Sequence, residues 1–271
     1  MGVAVGAGIS PWSGVEGGRS GGYGRSMKPI RFGSVLLPPV TAIMLAVLLA
    51  VFIAAGVVVN FVPGLASVVV SLPVTPAVLE GQVWRLVTYA LMHNLGDPFH
   101  LLMNGFMIFM FGRELEARWG SGRYALFALL TVLSGGVCVV LTGLVLGGAA
   151  SAIGASAFAE GLIVAWGLTW RDRPVRLFFA IEVKGIHMVY LAVFLWLLQA
   201  VSTSPTSASA HLGGMLMAAL LVLGVWRPNA VKSAWWSVLE SLGLKKQPKL
   251  YVVPGPSGRP AGKDGDKKWI H

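Results

Sequence analysis

Residues 124–159 form a run of 36 positions without one charged side chain. A bilayer core about 30 Å thick is crossed by roughly 20 apolar residues of helix. The run is therefore too long for one helix and long enough for two, with Gly147-Gly148 as the natural break. Residues 32–79 are likewise uncharged. Charged residues make up only 12% of the chain, against roughly 25% in a soluble domain, which is too few to cover a water-facing surface. An ordinary soluble enzyme, a disordered chain and a disulfide scaffold are all excluded. The single cysteine, Cys138, lies inside an apolar run and reads as a packing residue.

The expected architecture is an all-α membrane protein with six transmembrane helices. The spans are read at 40–59, from 98 to 115 and beyond, 124–146, 152–170, 185–201 and 208–226. Residues 175–184 are placed at the interface, and 202–207 form a polar turn. The 21 Lys and Arg then fall into alternately rich and poor connections. Arg19, Arg25, Lys28 and Arg31 precede the first span, and the first loop has only Arg85. Arg113, Arg118 and Arg123 follow the second span, and the next connection has none. Arg171, Arg173, Arg176 and Lys184 follow the fourth span, and the fifth connection again has none. Nine follow the sixth. This is the positive-inside pattern with both termini cytoplasmic. The net charge of +10 is thus mostly topology, and no nucleic-acid partner is called for.

Three regions result. Residues 1–34, with 10 glycines, read as a flexible cytoplasmic tail, within which Met27 is a second candidate start. Residues 35–226 form the membrane domain. Residues 227–271 form a basic cytoplasmic tail, with an amphipathic stretch around 234–244.

Polar groups inside spans are costly and are candidates for function. Here they are His100, Asn104, Ser156, Glu160, His187 and His211. By the charge topology, His100, Asn104, Ser156 and His211 fall in the same outer half of three helices. His100 and Asn104 are at i and i+4, on one helix face, and both can donate hydrogen bonds. Ser156 is a nucleophile once a base takes its proton. Ala210, Gly214 and Ala218 around His211 permit close helix approach, which would bring a base within reach. Taken singly, a membrane serine bonding to its own helix and a histidine bonding across helices are the plainer readings. The joint occurrence points to chemistry.

These residues sit in motifs that resemble the rhomboid family of intramembrane serine proteases. The motifs are Trp84-Arg85, then His93, then His100 with Asn104, the run Gly112-Arg-Glu-Leu-Glu116, Gly154-Ala-Ser156, and Ala210-His211-Leu-Gly-Gly214. The likeness covers about residues 36–226. It implies a six-helix rhomboid-like bundle and a catalytic Ser156–His211 dyad. It implies an oxyanion hole from His100, Asn104 and the Ser156 backbone N–H, and transmembrane helices as substrates, cut near the outer face. Gly154, His93, Trp84 and Arg85 take supporting roles, with Arg85 holding backbone and Trp84 at the interface. No cofactor is implied, and no cluster of metal-ligand spacing is present.

The chain departs from the family pattern at Ala157, where glycine is usual, and at Glu160, where an apolar residue is usual. The loop around Gly96-Asp-Pro98 is also longer. Glu160 is read as protonated or paired, in a structural or lumen-facing role. No carboxylate is expected to orient His211, so the pair is a dyad. Two other functions compete. A catalytically inactive rhomboid-like protein that binds membrane clients would keep the fold. A small transporter would use Glu160 and the histidines, but no inverted repeat supports it. The expected location is a bacterial plasma membrane. The oligomeric state is left open.

Overall fold

The computed structural model describes residues 30–32, 35–146, 150–177, 181–202 and 204–224. Most of the N-terminal tail, the whole C-terminal tail with its amphipathic stretch, and the Gly147-Gly148 break lie outside these residues. The fold is mostly helical. A short antiparallel hairpin, β1 (Ile30–Phe32) with β2 (Val35–Leu37), leads into α1 (Pro39–Phe61). Short turns of helix follow, including α2 (Ala66–Val70) and α3 (Arg85–Thr88). The segment 98–119 is helical throughout, as α4 (Pro98–Met107), a π-helical turn (Ile108–Gly112) and α5 (Arg113–Trp119). Then come α6 (Ser121–Leu146) and α7 (Ser156–Thr169). After them lie the hairpin β3 (Pro174–Leu177) with β4 (Ile181–Lys184), then α8 (Gly185–Ser202) and α9 (Pro205–Leu223).

Helices α1, α6, α8 and α9 are long and apolar enough to cross a membrane, and α7 is apolar but only 14 residues long. Large side chains of α1 such as Ile43, Leu49 and Ile53 are exposed, as are Phe194, Leu195 and Leu198 of α8. In water such faces would be untenable, and in lipid they cost nothing. Helices α6, α7 and α9 form the centre, where Phe127, Val139, Leu162, Ala165 and Ala218 are buried.

Local signals explain the boundaries. The Asp97 side chain accepts the Phe99 N–H, and Pro98 occupies the first turn of α4, the favoured arrangement for a helix start. Ser204 and Pro205 repeat it at α9, so α9 starts three residues before the expected 208. Gly120 at φ 83° separates α5 from α6, a left-handed value that side chains avoid. The fourth span was expected from 152. Its helix begins only at Ser156, because Gly154 has φ 115° and Ala152 is paired to Val74 by two backbone hydrogen bonds of 3.2 Å.

One buried carboxylate ties the first helix to the rest. Glu116, on α5, accepts Thr41 N at 2.7 Å, Thr41 Oγ1 at 2.7 Å, Val40 N at 3.0 Å and Ser121 Oγ at 2.7 Å. Val40 and Thr41 lie in the first turn of α1, where backbone N–H groups lack helical acceptors and the helix dipole favours negative charge. Glu116 of α5 thereby caps α1.

Candidate active site

Small residues set the distance between α7 and α9. A Cβ placed on Gly161 would meet the Gly214 carbonyl at 3.2 Å and Ala218 Cβ at 3.5 Å. One placed on Gly214 would stand 2.5 Å from the carbonyl carbon of Ala157. The helices touch backbone to backbone, and this contact brings the first residue of α7 beside the second turn of α9. Ser156 Oγ lies 2.9 Å from His211 Nε2. Both residues are buried, at 8% and 7% exposure. The other imidazole nitrogen, Nδ1, lies 2.6 Å from Glu160 Oε1. The sequence places no carboxylate beside His211, but the structure puts one there: Glu160 stands one turn beyond Ser156 on the same face of α7.

Ser156 begins α7, so the N–H groups of its first turn have no helical acceptor, and the helix dipole places positive charge there. His100 and Asn104 of α4 approach the same turn. A Cβ on Gly154 would stand 2.7 Å from His100 Nε2 and 3.6 Å from Asn104 Nδ2, so only glycine fits, on grounds of space as well as φ. The Gly154 N–H is held by the Tyr89 carbonyl at 2.9 Å.

His93 stands behind these donors. Its Nε2 accepts Asn104 Nδ2 at 3.0 Å and the Ala155 N–H at 3.4 Å, and its ring lies 5.0 Å from that of His100. Accepting at Nε2 requires a neutral ring with its proton on Nδ1. Burial, with the neighbouring His100 ring, pushes the His93 pKa down to about 4, which keeps that form.

Arg85 and Trp84 lie farther off and act on the preceding loop. Arg85 is buried. It donates from Nε to Gln82 Oε1 at 2.7 Å, and from one terminal nitrogen to the carbonyls of Pro73 at 2.9 Å and Val70 at 3.2 Å. Trp84 is half exposed and donates to the Ser71 carbonyl at 3.3 Å. His187 is not part of the cluster: it accepts the Lys184 N–H at the exposed start of α8.

Sequence reasoning did not single out Tyr89 or Gly135. The buried Tyr89 hydroxyl donates to the Val132 carbonyl at 2.9 Å. A Cβ on Gly135 would meet Tyr89 Oη at 2.5 Å and Ala157 Cβ at 2.7 Å. The methyl of Ala157 thus occupies space that a missing side chain on α6 leaves open. Glycine 135 lies among small residues of a long apolar run, which was the available signal.

A serine and a histidine in hydrogen-bond contact, inside a bundle of apolar helices, define a membrane-embedded protein with a hydrolase-like pair. The Rhomboid domain family model matches residues 80–228, from just before Trp84 through α9. The chain belongs to the rhomboid family, whose members are generally intramembrane serine proteases, and it is an integral membrane protein. No curated protein matches the chain.

Proposed function

We propose that this protein is a serine endopeptidase that cleaves transmembrane-helix substrates within the membrane, near its outer face. The observation that carries the reading is the 2.9 Å contact between Ser156 Oγ and His211 Nε2 at the start of a short helix. At 1.5 Å per residue the 14 residues of α7 span about 21 Å, against about 30 Å of hydrocarbon. Trp166, Trp170 and Arg173 cluster at its other end, with the Arg173 guanidinium over both rings, as befits an interface. Anchored there, α7 leaves Ser156 about 9 Å below the opposite surface, deep enough to meet a peptide bond inside the bilayer.

Six spans are proposed: α1, the segment 98–119, α6, α7, α8 and α9. With an even number of spans, the distribution of Lys and Arg supports both termini on the cytoplasmic side, and the membrane proposed is a bacterial plasma membrane. In the reaction, His211 Nε2 takes the Ser156 proton as Oγ bonds to the substrate carbonyl carbon. The C=O pair moves onto oxygen, and the N–H groups at the start of α7 with His100 and Asn104 stabilise that charge. A single such donor is worth roughly 2.7–4 kcal/mol in a model protease. Nε2 then returns the proton to the leaving amine nitrogen as the C–N bond breaks, and water repeats the sequence on the acyl-enzyme.

The test is fluorophosphonate labelling and cleavage of transmembrane test substrates by the purified protein in detergent. Wild type should label and cleave, and Ser156→Ala and His211→Ala should do neither. A folded wild type inert in both assays would favour the non-catalytic, client-binding reading. Label retained by Ser156→Ala would remove the nucleophile assignment.

A further inference from the structure

The pair Ser156–His211 is not the whole of the charge arrangement. Glu160 Oε1 lies 2.6 Å from His211 Nδ1, and Glu160 Oε2 is buried with no hydrogen-bond partner among the described residues. A carboxylate at this depth, with one polar contact, is an expensive group, and that one contact is the imidazole. Helix α7 carries both Ser156 and Glu160, at i and i+4, so they lie one above the other on a single face. His211 reaches that face from α9 and spans the two, with Nε2 toward the hydroxyl and Nδ1 toward the carboxylate.

We propose that Glu160 is the positioning residue of a Ser156–His211–Glu160 triad; the proposal rests on the protease reading above. By accepting Nδ1–H, Glu160 fixes the neutral tautomer whose Nε2 lone pair faces Ser156 Oγ. When Nε2 takes the serine proton, the imidazolium gains a carboxylate 2.6 Å from its other nitrogen. Nδ1–H stays on the ring throughout, and the proton on Nε2 leaves with the amine product. In a soluble triad, replacing the carboxylate by its amide preserves geometry yet lowers kcat about 10⁴-fold, because the ring takes the wrong tautomer. Glu160→Gln has the same defect, since the amide can donate to Nδ1 as readily as accept from it.

The experiment compares wild type, Glu160→Gln, Glu160→Asp and His211→Ala in detergent. Kinetics on a transmembrane test substrate are paired with thermal unfolding and proton NMR of the downfield N–H region. Glu160→Gln should lower kcat by 10²- to 10⁴-fold with KM little changed, while remaining folded, and Glu160→Asp should recover part of the loss. A merely structural role would lower the unfolding temperature without that split between kcat and KM. Wild type should show a strongly downfield Nδ1–H resonance that is absent from His211→Ala and Glu160→Gln. This last reading needs no variant to fold well: absence of the resonance from active wild type overturns the proposal. So does Glu160→Gln with kcat within about threefold of an active wild type. An inert wild type is a failure of the protease reading instead, and is distinguished by its own lack of labelling.

Discussion

Replacing Gly214 by alanine tests whether backbone contact between α7 and α9 sets the Ser156–His211 distance. The added Cβ would stand 2.5 Å from the Ala157 carbonyl carbon and 2.8 Å from its Cα, with the carbonyl oxygen nearer still. Carbon atoms pack at about 3.5 Å or more, so the helices must part by about 1 Å at this level. None of the obstructing atoms is the end of a flexible side chain, so rotamer changes cannot relieve the clash. Ser156 precedes Ala157, and His211 lies one turn before Gly214 on the same face. The Oγ–Nε2 separation would grow from 2.9 Å to about 3.9 Å, beyond hydrogen-bond range. Overpacking of this kind costs about 1–3 kcal/mol, and misplacing reacting groups by 1 Å costs on the order of 10²-fold in rate. Gly122→Ala on α6 is the control, because a Cβ there meets nothing within 4 Å. The assay is the fluorophosphonate labelling rate of the folded fraction, with thermal unfolding in the same detergent. Gly214→Ala should label about a hundredfold more slowly and unfold at lower temperature, while Gly122→Ala matches wild type in both. Wild-type labelling and unfolding by Gly214→Ala would refute the packing argument. Destabilisation with an unchanged labelling rate would show that helix spacing does not govern the pair.

Glu116→Ala should lower stability by roughly 3 kcal/mol, since the Val40 and Thr41 N–H groups and two hydroxyls lose a charged acceptor; an unchanged unfolding temperature would count against the cap. Arg85→Ala should loosen the loop after α2, seen as faster limited proteolysis between residues 70 and 84. Arg85→Lys should restore it only in part, because an ammonium lacks the planar fork that reaches Gln82, Pro73 and Val70 together. His93, held at about 4 in the folded protein, has a pKa near 6.5 when unfolded. The unfolded state therefore binds more protons in this window. The stability due to neutral His93 should be complete above about pH 6.5, decline as pH falls, and level off below about 4. Melting temperatures of wild type and His93→Gln across pH 3.5–8 measure that difference, and parallel curves would contradict it.

Several helix limits were legible because they rest on local chemistry. Gly185 as the start of α8 and Leu146 as the end of α6 agree with the sequence reading. Two further limits rest on local signals as well. Ser204-Pro205 is a helix start, and Gly154 is a break rather than a small residue within a span. The hairpin of β3 and β4 is not legible as strands in the sequence, since strands of four residues carry too little alternation to announce themselves.

Charge-free runs, basic loops and helix-starting residues act over a few positions or a single span, so the sequence by itself determined a helical membrane protein and named Ser156, His211, His100 and Asn104. It also showed Glu160 on the face of Ser156, because i and i+4 spacing needs only one helix. That His211 bridges serine and carboxylate depended on a second helix 51 residues away in the chain. How closely that helix approaches, and at what rotation, follows from Gly161, Gly214 and Ala157 meeting backbone to backbone. Such a contact is a property of two packed surfaces, which neither helix encodes alone, and only the tertiary structure decided it.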